Sequence, residues 1–165
     1  MSGSNQIVLQ RRGELQPPFN YPQQASPQWE KLWLALRRER WRTLALVPAG
    51  KGSTPDLSLE VASQLIRVGS MHLGMRLRIA DATQVKIFEL NQFMAEVEAV
   101  VREDDMISIA LAPLQENSTT VAVAQAADAA VLCVALDEVS SQDAKRSISE
   151  IGKEKFLGSV AFKTR

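Results

Sequence analysis

Residues 44–54 carry the pattern in this chain that could do chemistry. They read Leu-Ala-Leu-Val-Pro-Ala-Gly-Lys-Gly-Ser-Thr, an apolar run followed by a glycine-rich turn and two hydroxyl residues. A phosphate-binding loop of the form G-x-x-x-x-G-K-[ST] places a lysine directly before the Ser or Thr, where its ammonium group reaches the phosphates. Here that position is Gly52, and Lys51 stands one residue earlier. The pattern predicts the shape of a nucleotide loop without its principal charge.

Two interpretations of this loop stay open. Backbone amides at a helix N-terminus bind anions without a lysine, so the turn could still hold ATP or ADP with Mg²⁺; alternatively, it is a turn that binds nothing. No base or nucleophile-elbow pattern accompanies the loop serine, so the sequence gives no support for nucleophilic catalysis. We predict no catalytic residue and no resident cofactor. The residues of the candidate anion site are Gly50, Lys51, Gly52, Ser53 and Thr54.

The length and composition of the chain favour a single globular domain and argue against nucleic-acid-binding and membrane-spanning proteins. The chain has 165 residues, enough for one domain with a real core. Its 19 basic and 19 acidic residues balance, which argues against general nucleic-acid binding, since that relies on an excess of Lys and Arg. No apolar stretch reaches the roughly 18 residues of a membrane span. The first residues lack the basic and then apolar pattern of a secretory signal. We therefore expect a cytoplasmic protein that binds no nucleic acid.

The single cysteine and the single histidine carry no predicted chemistry. Cys133 lies in an apolar run and is expected to be a buried core thiol. His72 has no second histidine or cysteine nearby at metal-ligand spacing, so we predict a loop or surface residue and no metal site. Asp104 and Asp105 precede an apolar run and are expected to form a solvated turn.

The elements that must position the loop follow from the pattern of apolar residues. Residues 1–25 are polar and proline-bearing and predict a flexible arm; residues 26–165 predict one α/β domain. Gly69 and Gly74 are expected to break the segment after the loop helix. Predicted strands are 43–47, 77–79, 106–111, 130–136 and 157–162. Predicted helices are 27–40, one starting at 54–56, 85–103, 118–127 and 142–151.

Strands that alternate with helices predict a three-layer α/β fold. We expect a mostly parallel sheet of about five strands with helices on both faces, and the strand that contains Cys133 at its centre. In such sheets ligands bind outside the carboxyl ends of the strands. The loop at 48–54 and the segments that follow Ile79 and Leu111 should therefore meet at one edge.

Several motifs in this order resemble one family. The chain resembles the cytoplasmic ATPase module of bacterial tyrosine kinases and of their chain-length-regulator relatives in exopolysaccharide synthesis, within the MinD/ParA-like P-loop group. Five segments resemble the family's motifs in the same order. Pro48–Thr54 resembles P-G-E-G-K-S-T, Leu77–Thr83 resembles an Asp-rich motif, and Ile107–Pro113 resembles D-T-P-P. Ala126–Val134 resembles A-D-x-V-x-x-V, and Leu157–Phe162 resembles L-G-x-V-x-N.

The chain departs from that family where the family does its chemistry. Gly52 replaces the loop lysine, Ala110 replaces the Walker B aspartate, and Asp81 alone remains of the second-strand acids. Phosphoryl transfer depends on such charges and on Mg²⁺. The resemblance therefore implies a non-catalytic pseudo-ATPase that assists exopolysaccharide biosynthesis or export by docking a membrane chain-length regulator, peripheral to the inner face of the membrane. One alternative is a weak MinD/ParA-type ATPase that positions a cell-envelope or division machine. Another is a scaffold with this fold and unrelated partners. Homo-oligomerisation stays open.

Trp29 and Trp33 are the candidate partner-binding residues. Both lie on the amphipathic helix that begins near Pro27, with arginines around them. Tryptophan and arginine often carry binding energy at interfaces. The same pattern also fits a membrane-surface face or a stripe that packs the helix on its own sheet.

Overall fold

The structure is a computed structural model that describes residues 9–10, 27–50, 56–73, 77–103, 105–136 and 138–163. Its sheet has the strand order β1-β3-β4-β2-β5-β6, in which β2 to β6 are parallel and β1 is antiparallel to β3. The strands are β1 Leu9–Gln10, β2 Thr43–Pro48, β3 Leu77–Asp81, β4 Met106–Ala110, β5 Ala129–Leu136 and β6 Phe156–Lys163. The helices are α1 Pro27–Leu36, α2 Asp56–Leu73, α3 Leu90–Arg102, α4 Thr119–Ala126 and α5 Ser141–Ile151.

Helices cover both faces of the sheet, which confirms the predicted three-layer α/β fold. One core cluster joins α1 and α2 to the sheet, and the other joins α3, α4 and α5 to its opposite face. The interior strands β2, β4 and β5 are apolar along most of their length because both of their faces are covered. β5 is an interior strand but lies next to the edge strand β6, whereas β2 occupies the predicted central place among the parallel strands; Cys133 is fully buried, as predicted. Burial raises the pKa of the Cys133 thiol to about 12, so the thiol stays protonated.

The predicted helix break at Gly69 is wrong. Helix α2 continues through Gly69 to Leu73, while Gly74 lies outside the described residues. A Cβ atom on Gly69 would come within 2.8 Å of the Trp33 ring and 3.0 Å of the Leu77 side chain. The glycine thus lets α1 approach α2 closely, and this packing outweighs its low helix propensity of about 1 kcal/mol.

The predicted solvated turn at Asp105 is also wrong, and Asp104 lies outside the described residues. Asp105 is buried, and its Oδ2 atom lies 2.9 Å from Nε of the buried Arg78, misaligned for a hydrogen bond. A second nitrogen of Arg78 lies 3.4 Å from the carboxylate of Glu103. The pair neutralises two charges at the start of β3 and β4, because a buried charge without a partner is costly.

Little of the predicted arm is described. Leu9 and Gln10 pair with Ala80 and Ile79 and so extend the sheet beyond β3. The remaining residues up to 26 lie outside the described ranges. The predicted helix at 27–40 is shorter than expected and ends at Leu36.

Candidate functional site

The carboxyl end of β2 leads into Gly50, the one residue of the candidate anion loop that the structure describes. Gly50 has φ +87°, a left-handed conformation that favours glycine. A Cβ atom at this position would lie 2.7 Å from Cγ1 of Val139 and 3.3 Å from the carboxylate oxygen Oδ2 of Asp143. The segment between β5 and α5 therefore lies against the start of the loop, and the first turn of α5 brings a carboxylate to it. Lys51, Gly52, Ser53 and Thr54 lie outside the described residues.

Three strand ends meet beside this loop, as the sheet prediction required. Leu46 of β2 pairs with Ala110 of β4, and Ala110 pairs with Asp81 of β3. The Leu111 N–H donates to the Leu46 carbonyl at 3.1 Å, and the Ser58 hydroxyl donates to the Leu111 carbonyl at 2.7 Å. The aligned positions of the three motifs are thus neighbours in space.

On the aligned strand ends of β4 and β3, the Asp81 carboxylate is the one candidate metal ligand. Ala110 is fully buried and apolar. The carboxylate of Asp81 accepts two hydrogen bonds from Thr83, from its backbone N–H at 3.0 Å and from its hydroxyl at 2.6 Å. Asp81 thereby closes a turn after β3. Within the described ranges, no three His, Cys, Asp or Glu side chains come together as metal ligands.

The partner-binding prediction for Trp33 is wrong in this structure. Its indole is 1% exposed in the core between α1 and α2, and its Nε1 donates to Nδ1 of His72 at 3.1 Å. The Trp41 ring meets it edge-on at 6.1 Å between centroids, and the Arg37 guanidinium lies over both rings at 5.9 and 5.8 Å. Trp33 is therefore a structural residue. Trp29 is half-buried against the same core, and its role in binding a partner stays a prediction.

Sequence reasoning missed the two most exposed large apolar side chains among the described residues. Ile87 is 72% exposed and Phe88 is 78% exposed. They lie on a single 3-10 turn between β3 and α3, whereas the apolar period had placed them at the start of a longer helix. The sequence signal was an adjacent apolar pair just outside the buried stripe of α3, which includes Phe93 and Val97.

Hydrogen bonds hold this turn in place. The Asn117 amide and the Thr119 hydroxyl both donate to the Val85 carbonyl, at 3.1 and 3.0 Å. The Lys86 N–H donates to the Glu89 carboxylate at 3.0 Å. Ile87 and Phe88 are thus displayed on a rigid support. They border a cleft of about 420 Å³ at the carboxyl ends of β3 and β4.

No family profile, curated protein or solved structure matches the chain. The fold class therefore rests on the sheet itself, five parallel strands between two helical layers. Among the helices that the structure describes, none combines the length and the apolar character that crossing a membrane requires.

Proposed function

We propose that this chain is a non-catalytic pseudo-ATPase that assists exopolysaccharide biosynthesis or export by docking a membrane chain-length regulator. The observation that supports the non-catalytic part best is the Asp143 carboxylate, which lies against Gly50 at the start of the loop. The docking part is supported by the exposed pair Ile87 and Phe88 at the same edge of the sheet.

Electrostatics oppose a nucleotide at this loop. Two like unit charges about 5 Å apart repel by roughly 3 kcal/mol at an effective dielectric constant of 20. A working loop offsets the charge of the phosphates with its lysine and with Mg²⁺. In this chain a glycine stands at the lysine position, and Asp143 brings a negative charge instead.

The charge that would hold Mg²⁺ is also reduced at the aligned positions. Ala110 has no ligand atom in its side chain, and Oδ1 of the Asp81 carboxylate already accepts two hydrogen bonds from Thr83. Hydrolysis needs charge stabilisation at the transferred phosphoryl group. The described part of this edge thus favours a role in binding over a role in turnover.

The surface formed by Ile87 and Phe88, here called the 87–88 patch, supports docking. Contiguous exposed apolar residues on monomeric proteins often mark interaction sites. Interface energy is concentrated in a few anchor side chains that fill pockets on the partner. The hydrogen-bonded support of the 87–88 patch lowers the ordering cost of binding.

The docking proposal predicts a loss of association at the 87–88 patch. Phe88→Ser should weaken binding to a detergent-solubilised chain-length regulator about tenfold or more, since aromatic anchors commonly contribute 2 kcal/mol or more. Biolayer interferometry with the immobilised regulator measures this. Leu34→Ser is the matched control, because Leu34 is 51% exposed on α1, outside the 87–88 patch, and should bind like the wild type. Equal binding by all three proteins, with unchanged thermal midpoints, would remove the 87–88 patch from the proposal.

A further inference from the structure

The outer edge of β6 differs from the other edge of the sheet. β6 spans Phe156–Lys163, and within the described residues it pairs only with β5. At the opposite side, β1 covers part of the β3 edge. An edge strand presents unpaired N–H and C=O groups that can template a further strand. Between residues 156 and 162 β6 contains no charged residue and no proline, the devices that commonly block such pairing.

The sheet register shows which peptide groups of β6 face outward. The Ala49 N–H donates to the Cys133 carbonyl, so Cys133 directs its peptide groups to β2. Peptide groups alternate in direction along a strand, so Leu132 and Val134 direct theirs to β6. Because Leu132 pairs with Ser159 and Val134 pairs with Ala161, parallel pairing sends the N–H and C=O groups of Ser159 and Ala161 away from β5.

A groove runs along these two residues. It has a volume of about 380 Å³ and lies between β6 and helix α1, whose Trp29 and Leu32 line it beside Val160. A Cβ atom at Gly158 would have no neighbour within 4 Å, so the strand has open space there as well. An edge strand beside an apolar helix face is the arrangement in which an extended peptide gains main-chain hydrogen bonds and side-chain contacts together.

We propose that the β6 edge binds an extended segment of another protein, with an apolar middle and acidic residues at both ends. Lysines flank β6, with Lys153 and Lys155 before it and Lys163 at its end. With Glu154 the start keeps a net charge of +1, and one of its two ammonium groups, that of Lys155, donates to the Ala127 carbonyl at 2.6 Å just before β5. Opposite charges on facing strand positions stabilise pairing, and like charges destabilise it.

The same charges decide against a second copy of this chain as the occupant. Two β6 strands paired antiparallel would bring the lysine-bearing start of one strand toward the Lys163 end of the other. Such contacts between like charges are unfavourable. This inference concerns a surface separate from the 87–88 patch and does not depend on the proposed regulator.

Two fluorescein-labelled peptides test this inference, an acidic one of sequence DEVTVTVED and a basic one of sequence KKVTVTVKK. Fluorescence anisotropy should show at least tenfold tighter binding of the acidic peptide to the full chain. Ala161→Pro should weaken that binding about tenfold, because it removes an outward N–H without removing a bond to β5. Ala161→Ser retains the N–H and should bind like the wild type.

A second variant tests the proposal independently if Ala161→Pro folds poorly. Gln28→Glu adds a negative charge to the groove from the exposed start of α1 and should weaken the acidic peptide severalfold. Equal affinity for both peptides, or undiminished binding by Gln28→Glu, would overturn the proposal. A concentration-dependent dimer in sedimentation velocity that Ala161→Pro abolishes would overturn it in favour of a second copy.

Discussion

Replacing Trp33 with alanine should lower the free energy of unfolding by about 3–5 kcal/mol, the usual cost of deleting a large buried aromatic side chain. The indole is 1% exposed, stacks edge-on with Trp41 and donates a hydrogen bond to His72. It also packs over Gly69, so its removal would leave a cavity between α1 and α2. For a chain of this size the thermal midpoint should fall by on the order of 10 °C. Urea denaturation measures the loss.

Two variants separate the causes of this loss. Trp33→Phe keeps most of the ring and removes the hydrogen bond, so it should cost clearly less than the alanine variant. Leu34→Ala is the matched control on the same helix, because Leu34 is 51% exposed and should change stability by no more than about 0.5 kcal/mol. A Trp33→Ala variant with wild-type stability would mean that α1 does not pack on α2 as described.

Restoring charge to the loop should restore nucleotide affinity. Gly52→Lys should tighten ADP or ATP binding about tenfold, because the new ammonium would stand where phosphate-binding loops carry their lysine. Adding Asp143→Asn should tighten it about threefold further, since the carboxylate beside Gly50 repels the phosphates. Isothermal titration calorimetry with Mg²⁺ measures both steps.

A control variant and the separate result of each substitution distinguish the effect of the lysine from the effect of Asp143. Glu98→Gln is the matched control for removal of a carboxylate, because Glu98 is exposed on α3 and pairs only with Arg102 in the described contacts. It should add nothing to Gly52→Lys. No gain in a folded Gly52→Lys variant would contradict the aligned position of the lysine. If Gly52→Lys raises nucleotide affinity and Asp143→Asn adds nothing, the Asp143 carboxylate does not oppose nucleotide binding.

The sequence predicted the sheet well because interior parallel strands are continuous apolar runs. All five parallel strands lie within about two residues of their predicted positions. The register also brought Leu46, Ala110 and Asp81 together, since the carboxyl ends of parallel strands share one edge. The features that could be predicted are those that depend on the local pattern of apolar residues and on the direction of the strands.

The errors arise from contacts between residues distant in sequence. Gly69 stays helical because Trp33, on another helix, needs its space. Asp105 is buried because Arg78, on the neighbouring strand, neutralises it. The approach of Asp143 to Gly50 depends on the path of the segment after β5, which no local pattern encodes. The meeting of the strand ends could therefore be predicted from sequence, but the carboxylate beside Gly50 could not.

Phosphate release from Mg²⁺-ATP by the full chain is the direct measurement of whether the loop is non-catalytic. The glycine at the lysine position and the apolar Ala110 remove two charged groups that working loops use for phosphoryl transfer, and Asp81 is hydrogen-bonded within a turn. We expect release that is indistinguishable from a blank without protein, at protein concentrations up to the highest attainable. Release above that blank, abolished by Ser53→Ala, would contradict the claim and show that the loop is a working ATPase site.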